Sequence, residues 1–322
     1  MSTRNEIIAL LEQNRGTYIS GGKIAEQLSV SRTAVWKSIQ KLMDEGYNID
    51  AVTNKGYMLS EDNDILSRDG VMRHLNVNMP IRLDVMKSVD STNLELKRRA
   101  NEAEGLVVAA SEQTGGMGRL GRSFSSPSDT GIYFSLLLKP QIDNSEITLL
   151  TTIAALAVCE AIEKLTDKKP LIKWVNDVFI DGKKVNGTLT QASFSVENLA
   201  PEYVIVGIGI NVYEPIGGFP PELKDIAGAV CGEKQGEFKN RLLAEVLNSY
   251  FYYYENFEKK EFISGYKKRS FVIGKNVNII SPTDSRRAYV LDIDDACRLV
   301  VRYDDGTEDV VSTGEISVRL AE

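Results

Sequence analysis

The stretch Gly115 to Arg122, GGMGRLGR, decides which kind of fold this chain can adopt. Gly116-Met117-Gly118-Arg119-Leu120-Gly121 satisfies the dinucleotide template G-x-G-x-x-G, and Gly116 to Ser123 departs from the P-loop template G-x-x-x-x-G-K-[ST] only at Arg122. Both templates need the glycines to open a helix whose N-terminal amides hold the phosphates. Here SFSSPSDTGIYFSLLL follows, in which Pro127, the serines and Gly131 oppose a helix and the apolar run reads as a strand. Neither template applies. What remains is a loop between strands with unencumbered amides and two guanidiniums, Arg119 and Arg122. It is either a site for phosphate or carboxylate oxygens, which glycine amides and arginine forks suit, or a flexible surface loop that binds nothing.

Outward from the loop, residues 65–270 alternate between helical and strand patterns. The order is helix (Ile65 to Leu75), strand (IRLDVM), helix (STNLELKRRANE), strand (GLVVAASEQ), loop, strand (GIYFSLLLKP) and long helix (EITLLTTIAALAVCEAIEKL). A strand pair (LIKWVNDVFIDGKKVNGTLTQASF), a strand (EYVIVGIGINV) and helices from LKDIAGAV through AEVLNSYFYYYENFEKK complete it. This is an α+β domain with a mixed sheet. Tyr252, Tyr253 and Tyr254 read as packing on an amphipathic helix more readily than as a stacking platform.

Two more constellations stand out in this domain. In KWVNDVFIDGKKVNGTLTQ the turn at Asp181-Gly182 starts Lys184 on a returning strand, where it faces a cleft beside Asn176 and Asp177 or is simply solvated. The run Val89-Asp90-Ser91-Thr92-Asn93 at a strand-to-helix junction is a plain N-cap or a site for a small polar head group.

Residues 1–64 read as a winged helix-turn-helix. EIIALLEQ is amphipathic, two further helical patterns break at LSVS, and NIDAVTNKGYMLS alternates as a hairpin turning at Asn54-Lys55-Gly56. Ser20 and Ser31 are placed to cap the second and third helices. Val35, Ile39 and Leu42 then face inward, so Arg32, Thr33, Trp36 and Lys37 with Ser31 and the wing's Lys55 form the candidate DNA surface. The alternative is a helical unit that binds protein. EDNDI, from Glu61, suits a linker. From 271 to 322 the short strands VNII, AYVLDI, LVVRY, DVVS and ISVRL read as a small SH3-like β-barrel.

Composition narrows the function. The chain has 322 residues, enough for two or three domains, and its formal charge of −7 argues against coating nucleic acid or anionic membrane by bulk electrostatics. Cys159, Cys231 and Cys297 lie too far apart for a zinc ribbon or a disulfide framework and read as core residues. His74, the single histidine, reads as a surface residue, which removes Ser-His-Asp and Cys-His machinery unless that one residue serves. No signal peptide or membrane-length apolar run is evident, so a cytoplasmic protein without a membrane partner is expected, and no metal ligand set is assigned.

Taken together, DSTN (Asp90 to Asn93), EQT with the glycine-arginine loop (Glu112 to Arg122), KWxND (Lys173 to Asp177), GKKVNG (Gly182 to Gly187), GIGINV (Gly207 to Val212) and GEISVR (Gly314 to Arg319) resemble the biotin protein ligases. The N-terminal unit matches the bifunctional kind that also represses transcription. The resemblance implies activation of biotin with ATP and Mg2+ to biotinyl-5′-AMP. Biotin then passes to a lysine on the biotin carboxyl carrier domain of acetyl-CoA carboxylase or a related carboxylase. It implies operator DNA as a partner and a homodimer when loaded with biotinyl-5′-AMP. By the same resemblance Ser91, Thr92, Asn93 and Gln113 would meet the biotin head group. Gly116, Met117, Gly118, Arg119, Leu120, Gly121 and Arg122 would fold over its carboxylate and the α-phosphate, with Phe124 as an apolar lid in the family's tryptophan position. Lys184 and Arg119 would be catalytic, Gly187 would line the substrate site, and Asn176, Asp177 and Asn211 would meet the nucleotide.

Three positions depart from the family pattern: Met117 for arginine, Val175 for proline and Gln191 for glutamate or another polar residue. Loss of the guanidinium at 117 leaves open a biotin sensor with weak or no ligase activity. A lipoate or octanoate ligase on the related fold is the other alternative.

Overall fold

Serine oxygens start the N-terminal helices. The computed structural model describes residues 2–194, 200–281, 284–312 and, as backbone, 317–320, so Gly314 to Ile316 of GEISVR lie outside the described residues. Helices α1 (Thr3–Gln13), α2 (Gly21–Gln27) and α3 (Arg32–Asp44) form, with Ser20 Oγ accepting from the Lys23 amide and Ser31 Oγ from the Ala34 amide. Each bond satisfies an otherwise orphaned donor and is worth ~1 kcal/mol. Val35, Ile39 and Leu42 fall on one side of α3 and are fully buried with Ile7, Leu11 and Ile24. Strands β1 (Ile49–Val52) and β2 (Gly56–Leu59) pair antiparallel as the wing.

This compact unit takes in Met1–Asn76 and Glu233–Ala244, which runs past the break expected at 64. EDNDI is held rather than loose: Asn63 is buried, its Oδ1 accepts from the Asn48 amide at 3.1 Å, and Arg15 donates to its carbonyl at 2.9 Å. The helix expected over Ile65 to Leu75 shrinks to α4 (Arg68–Met72). The Asn240 side chain explains the trimming, because its amide donates to the Ile65 carbonyl and its oxygen accepts from the Ser67 amide, both at 2.9 Å, and so replaces helical partners. His74 is not a bare surface residue; it is part-buried, with Nε2 at 2.9 Å from Glu237 Oε1.

The second unit, Val77–Gly232 with Glu245–Glu322, holds a seven-stranded sheet. Its elements are β3 (Arg82–Met86), α5 (Thr92–Arg98), β4 (Leu106–Ala110), β5 (Gly131–Leu138), α6 (Ile147–Leu165), β6 (Leu171–Lys173), β7 (Asp177–Ile180), β8 (Lys183–Phe194) and β9 (Pro201–Asn211). The sheet order is β3-β4-β5-β9-β8-β7-β6, parallel only between β3 and β4. Helix α6 would suit a membrane by length and apolarity, and burial of Leu149 through Cys159 in the core accounts for both.

Two expectations are corrected here. The strand pair at LIKWVNDVF is three strands, since KWVND itself makes a turn between β6 and β7. LKDIAGAV is no helix: the Lys184 amide donates to the Ile226 carbonyl and the Gly228 amide to the Lys184 carbonyl, each at 2.8 Å, so β8 captures its backbone.

Helix α7 (Phe238–Glu255) and α8 (Phe262–Arg269) follow. Of the α7 tyrosines read as packing, Tyr253 and Tyr254 are part-buried, donating to Glu160 at 2.9 Å and to Glu104, whereas Tyr252 stays exposed. Beyond them β10 (Asn276–Ile280), β11 (Ser285–Ile293), β12 (Leu299–Tyr303), β13 (Glu308–Val311) and β14 (Ser317–Leu320) form an antiparallel sheet in the order β13-β12-β11-β10-β14. The Trp174 indole donates to the Cys297 carbonyl at 2.8 Å, and Tyr266 donates to the Val175 carbonyl at 3.0 Å. These bonds fix the KWVND turn, in which the Trp174–Val175 peptide is cis.

Candidate functional site

The glycine-arginine loop is an ordered finger. Phe124 donates its amide to Gly116 at 2.9 Å and Gly118 donates to Arg122 at 2.7 Å, while Leu120 and Gly121 take positive φ at the tip. A Cβ at Gly116 would lie 2.4 Å from the Phe124 carbonyl oxygen, so glycine is required where the two arms meet. The finger overhangs a cavity of about 440 Å3.

The floor of the cavity comes from β8 and β9. Gly187, Gly207 and Gly209 present bare backbone there, and the Phe124 ring lies on it: Cβ atoms at 209 and 187 would fall 2.5 and 3.1 Å from that ring. At 207 a Cβ would strike Asn93 Oδ1 at 2.0 Å. A flat floor without side chains suits a thin ring system.

Polar groups converge at one end. The Thr92 amide and hydroxyl donate to Gln113 Oε1 at 2.9 and 3.1 Å, and Gln113 Nε2 donates to Ser126 Oγ at 2.9 Å. Ser135 Oγ, fully buried, sits 2.7 Å from Thr92 Oγ1 and 2.6 Å from Asn93 Oδ1. Asn93 Nδ2 donates to Gln191 Oε1 at 2.9 Å, so the departure at 191 still supplies an acceptor. Ser91 begins α5 without a side-chain cap bond. Its buried hydroxyl lines the cavity instead.

Cations gather at the other end. Arg119 donates to Asn176 Oδ1 at 3.3 Å, and Asn176 is held by a 2.8 Å bond from its Nδ2 to the Thr188 carbonyl. Lys184 Nζ lies 2.7 Å from Asp177 Oδ1. Arg122 and Lys173 line the same cavity, and Asn211 reaches it with Nδ2 bonded to the Gly228 carbonyl at 3.1 Å. Such an array can neutralise two anions drawn together, as a carboxylate meeting a phosphate requires.

In the N-terminal unit Ser31, Arg32, Thr33, Trp36, Lys37 and Lys55 are all exposed, with Trp36 at 52 % the most conspicuous aromatic of α3. Ser31 spends its oxygen on the cap. Lys55 Nζ stands 5.5 Å from the centre of the Tyr18 ring. Gly56 is obligatory at the wing: its φ is +109° and a Cβ would lie 2.1 Å from the Ile19 carbonyl oxygen.

Three family models match the chain: the biotin/lipoate A/B protein ligase family over residues 85–211, an HTH domain over 3–58 and the biotin protein ligase C-terminal domain over 272–319. The bifunctional ligase/repressor BirA of Bacillus subtilis is 35% identical over 96% of this chain and 97% of its own length. The chain belongs to the bifunctional biotin ligase/repressor family. BirA of Escherichia coli is 30% identical over 64% of this chain and 63% of its own length. Among solved structures, the biotin protein ligase from Aquifex aeolicus in complex with biotin and ATP is similar at a TM-score of 0.66 and 30% identity, covering 74% of this chain and 99% of that one.

Within this ligase/repressor, most residues expected at the site do line the cavity. Gly116 and Gly121 do not; they shape the finger instead. Several lining residues were not anticipated, among them Lys173, Thr188, Gly207 and Gly209. The alternation in GIGI was a usable signal for the last two, because period-2 glycines clear one face of a strand. Phe219, Leu223 and Ile226 form an apolar rim.

Proposed function

We propose that this chain joins biotin to AMP from ATP, hands biotin to a lysine of a biotin carboxyl carrier domain, and represses transcription through its winged helix. One observation carries the catalytic reading: Arg119 and Lys184 line the same cavity as the glycine floor and the Thr92–Gln113 pair. A biotin carboxylate oxygen attacks the α-phosphorus, the bond to the β-phosphate oxygen breaks, and pyrophosphate leaves. Negative charge grows on the α-phosphate oxygens, and a guanidinium and an ammonium already in position stabilise it without reorganising solvent. The carrier amine then attacks the acyl carbon, the bond to AMP breaks, and the amine's proton passes to solvent.

In this reading Ser91, Thr92 and Gln113 orient the head group, with Asn93 bracing them, and Asn176 and Asn211 orient the nucleotide. The finger with Phe124 excludes water from the anhydride. Magnesium enters only as the nucleotide's counter-ion. Asp177 is the sole acidic residue lining the cavity among the described residues, and Lys184 engages it.

Met117 removes one guanidinium and leaves Arg119, Arg122 and Lys184, which suffices for activity. Biotin-dependent exchange of pyrophosphate into ATP tests this, and a blank result with folded protein would defeat it. Biotinyl-5′-AMP is expected to promote a homodimer that presents two copies of α3 to operator half-sites, by the reciprocal linkage of ligand and subunit binding. Sedimentation with and without the adenylate checks it; an unchanged monomer in both would rule it out.

A further inference from the structure

Lys184 and Asp177 stand apart from the other charges of the cavity. Their side chains meet at 2.7 Å while each is only about a quarter exposed, at 29 % and 23 %. Asp177 is the only acidic residue lining the cavity among the described residues, against Arg119, Arg122, Lys173 and Lys184. The neighbouring Lys183 turns elsewhere, donating to the Lys224 carbonyl at 3.2 Å with Asp225 at 3.9 Å.

The lysine's main chain is pinned on both sides by Ile226 and Gly228, so only its stem can move. Gly187, paired in register with Asp177, leaves that stem room: a Cβ there would lie 3.2 Å from Nζ. A flexible four-carbon stem carrying a point charge can change partners where a bidentate arginine would stay locked.

We infer that Asp177 is a positioning residue, the resident counter-ion of Lys184, and not a contact for the nucleotide. It holds the ammonium over the floor while the cavity is empty and yields it when a carboxylate or phosphate arrives. Ligand anion and Asp177 therefore compete for one cation. The inference rests on Lys184 meeting the biotin carboxylate, as proposed above.

The test compares biotin with biotinol, in which a neutral alcohol replaces the carboxylate, by calorimetric titration of the full chain. Asp177→Asn removes the competitor and should tighten biotin binding about three- to tenfold while leaving biotinol unchanged. Asp177→Glu should restore the wild-type ratio. Equal weakening of both ligands by Asp177→Asn, or an unchanged ratio in a protein with normal melting, overturns the inference.

Lys184→Met supplies an independent arm should Asp177→Asn not fold. It leaves a bare carboxylate beside the ligand's own, so biotin should weaken more than tenfold and biotinol should not. No change in that ratio also overturns the inference. Failure of the wild-type protein to bind biotin at all would instead sink the functional reading, and the inference with it.

Discussion

The Phe124 ring rests on Gly209, close enough that a Cβ on the glycine would fall 2.5 Å from ring carbon Cε1. Gly209→Ala must therefore push the ring off the floor. Overpacking of this kind costs about 1–3 kcal/mol. We expect a lower melting temperature and a roughly tenfold rise in KM for biotin in the exchange assay, from loss of the flat surface. Wild-type values for both would mean that the ring and the glycine are not packed as described.

Ser135→Ala deletes a fully buried hydroxyl that lies within hydrogen-bond distance of Thr92 Oγ1 and Asn93 Oδ1. Buried acceptors left without a donor cost about 1–3 kcal/mol. Because Thr92 in turn orients Gln113, biotin affinity should fall several-fold, with a smaller effect on kcat. A change confined to kcat would show that this network does not set the head-group end.

Arg32→Ala combined with Trp36→Ala removes a cation and an aromatic from the exposed side of α3 and touches no residue of its core. Operator binding in a gel-shift assay should be lost while pyrophosphate exchange continues. Equal loss of both activities would contradict the separation of roles. Gly56→Ala should instead unfold the wing, since its Cβ meets backbone at 2.1 Å and its φ of +109° is strained for any side chain.

Cys159, Cys231 and Cys297 are buried in the fold and form no disulfide. Burial pushes the Cys297 thiol from the ordinary 9.0 up to about 11 and lifts Cys159 well above its usual range. Iodoacetamide at pH 8 should therefore label the native protein slowly and the urea-unfolded protein at all three sites, counted by mass spectrometry. The linkage has a definite sign: a folded value raised above the unfolded one gives stability that is complete below pH 9 and is lost as pH rises toward 11. A melting temperature flat across that window would contradict this placement of Cys297.

Parts of the site were legible because their signals are local. Gly116 and Phe124 lie eight residues apart, and glycine content alone indicated a backbone-lined loop. Asp181 and Gly182, with φ of 50° and 77°, make the tight turn that their chemistry announces and so put Lys184 on the returning strand. The ends of α4 were not legible, because Asn240, far along the chain, satisfies the backbone at 65 and 67.

Period and capping chemistry are written in neighbouring residues. By itself, therefore, the sequence determined the winged unit with its Ser20 and Ser31 caps, the five short C-terminal strands, and the rejection of the dinucleotide and P-loop templates at Gly115 to Arg122. Only the tertiary structure decided that LKDIAGAV abandons its helical pattern to pair with Lys184, and that Gly187 and Gly209, from two different strands, clear a floor for Phe124. Those outcomes depend on which strands become neighbours. That choice is settled by burial and backbone hydrogen bonding between segments distant in the chain, whose free energies exceed the few tenths of a kcal/mol per residue that local propensity contributes.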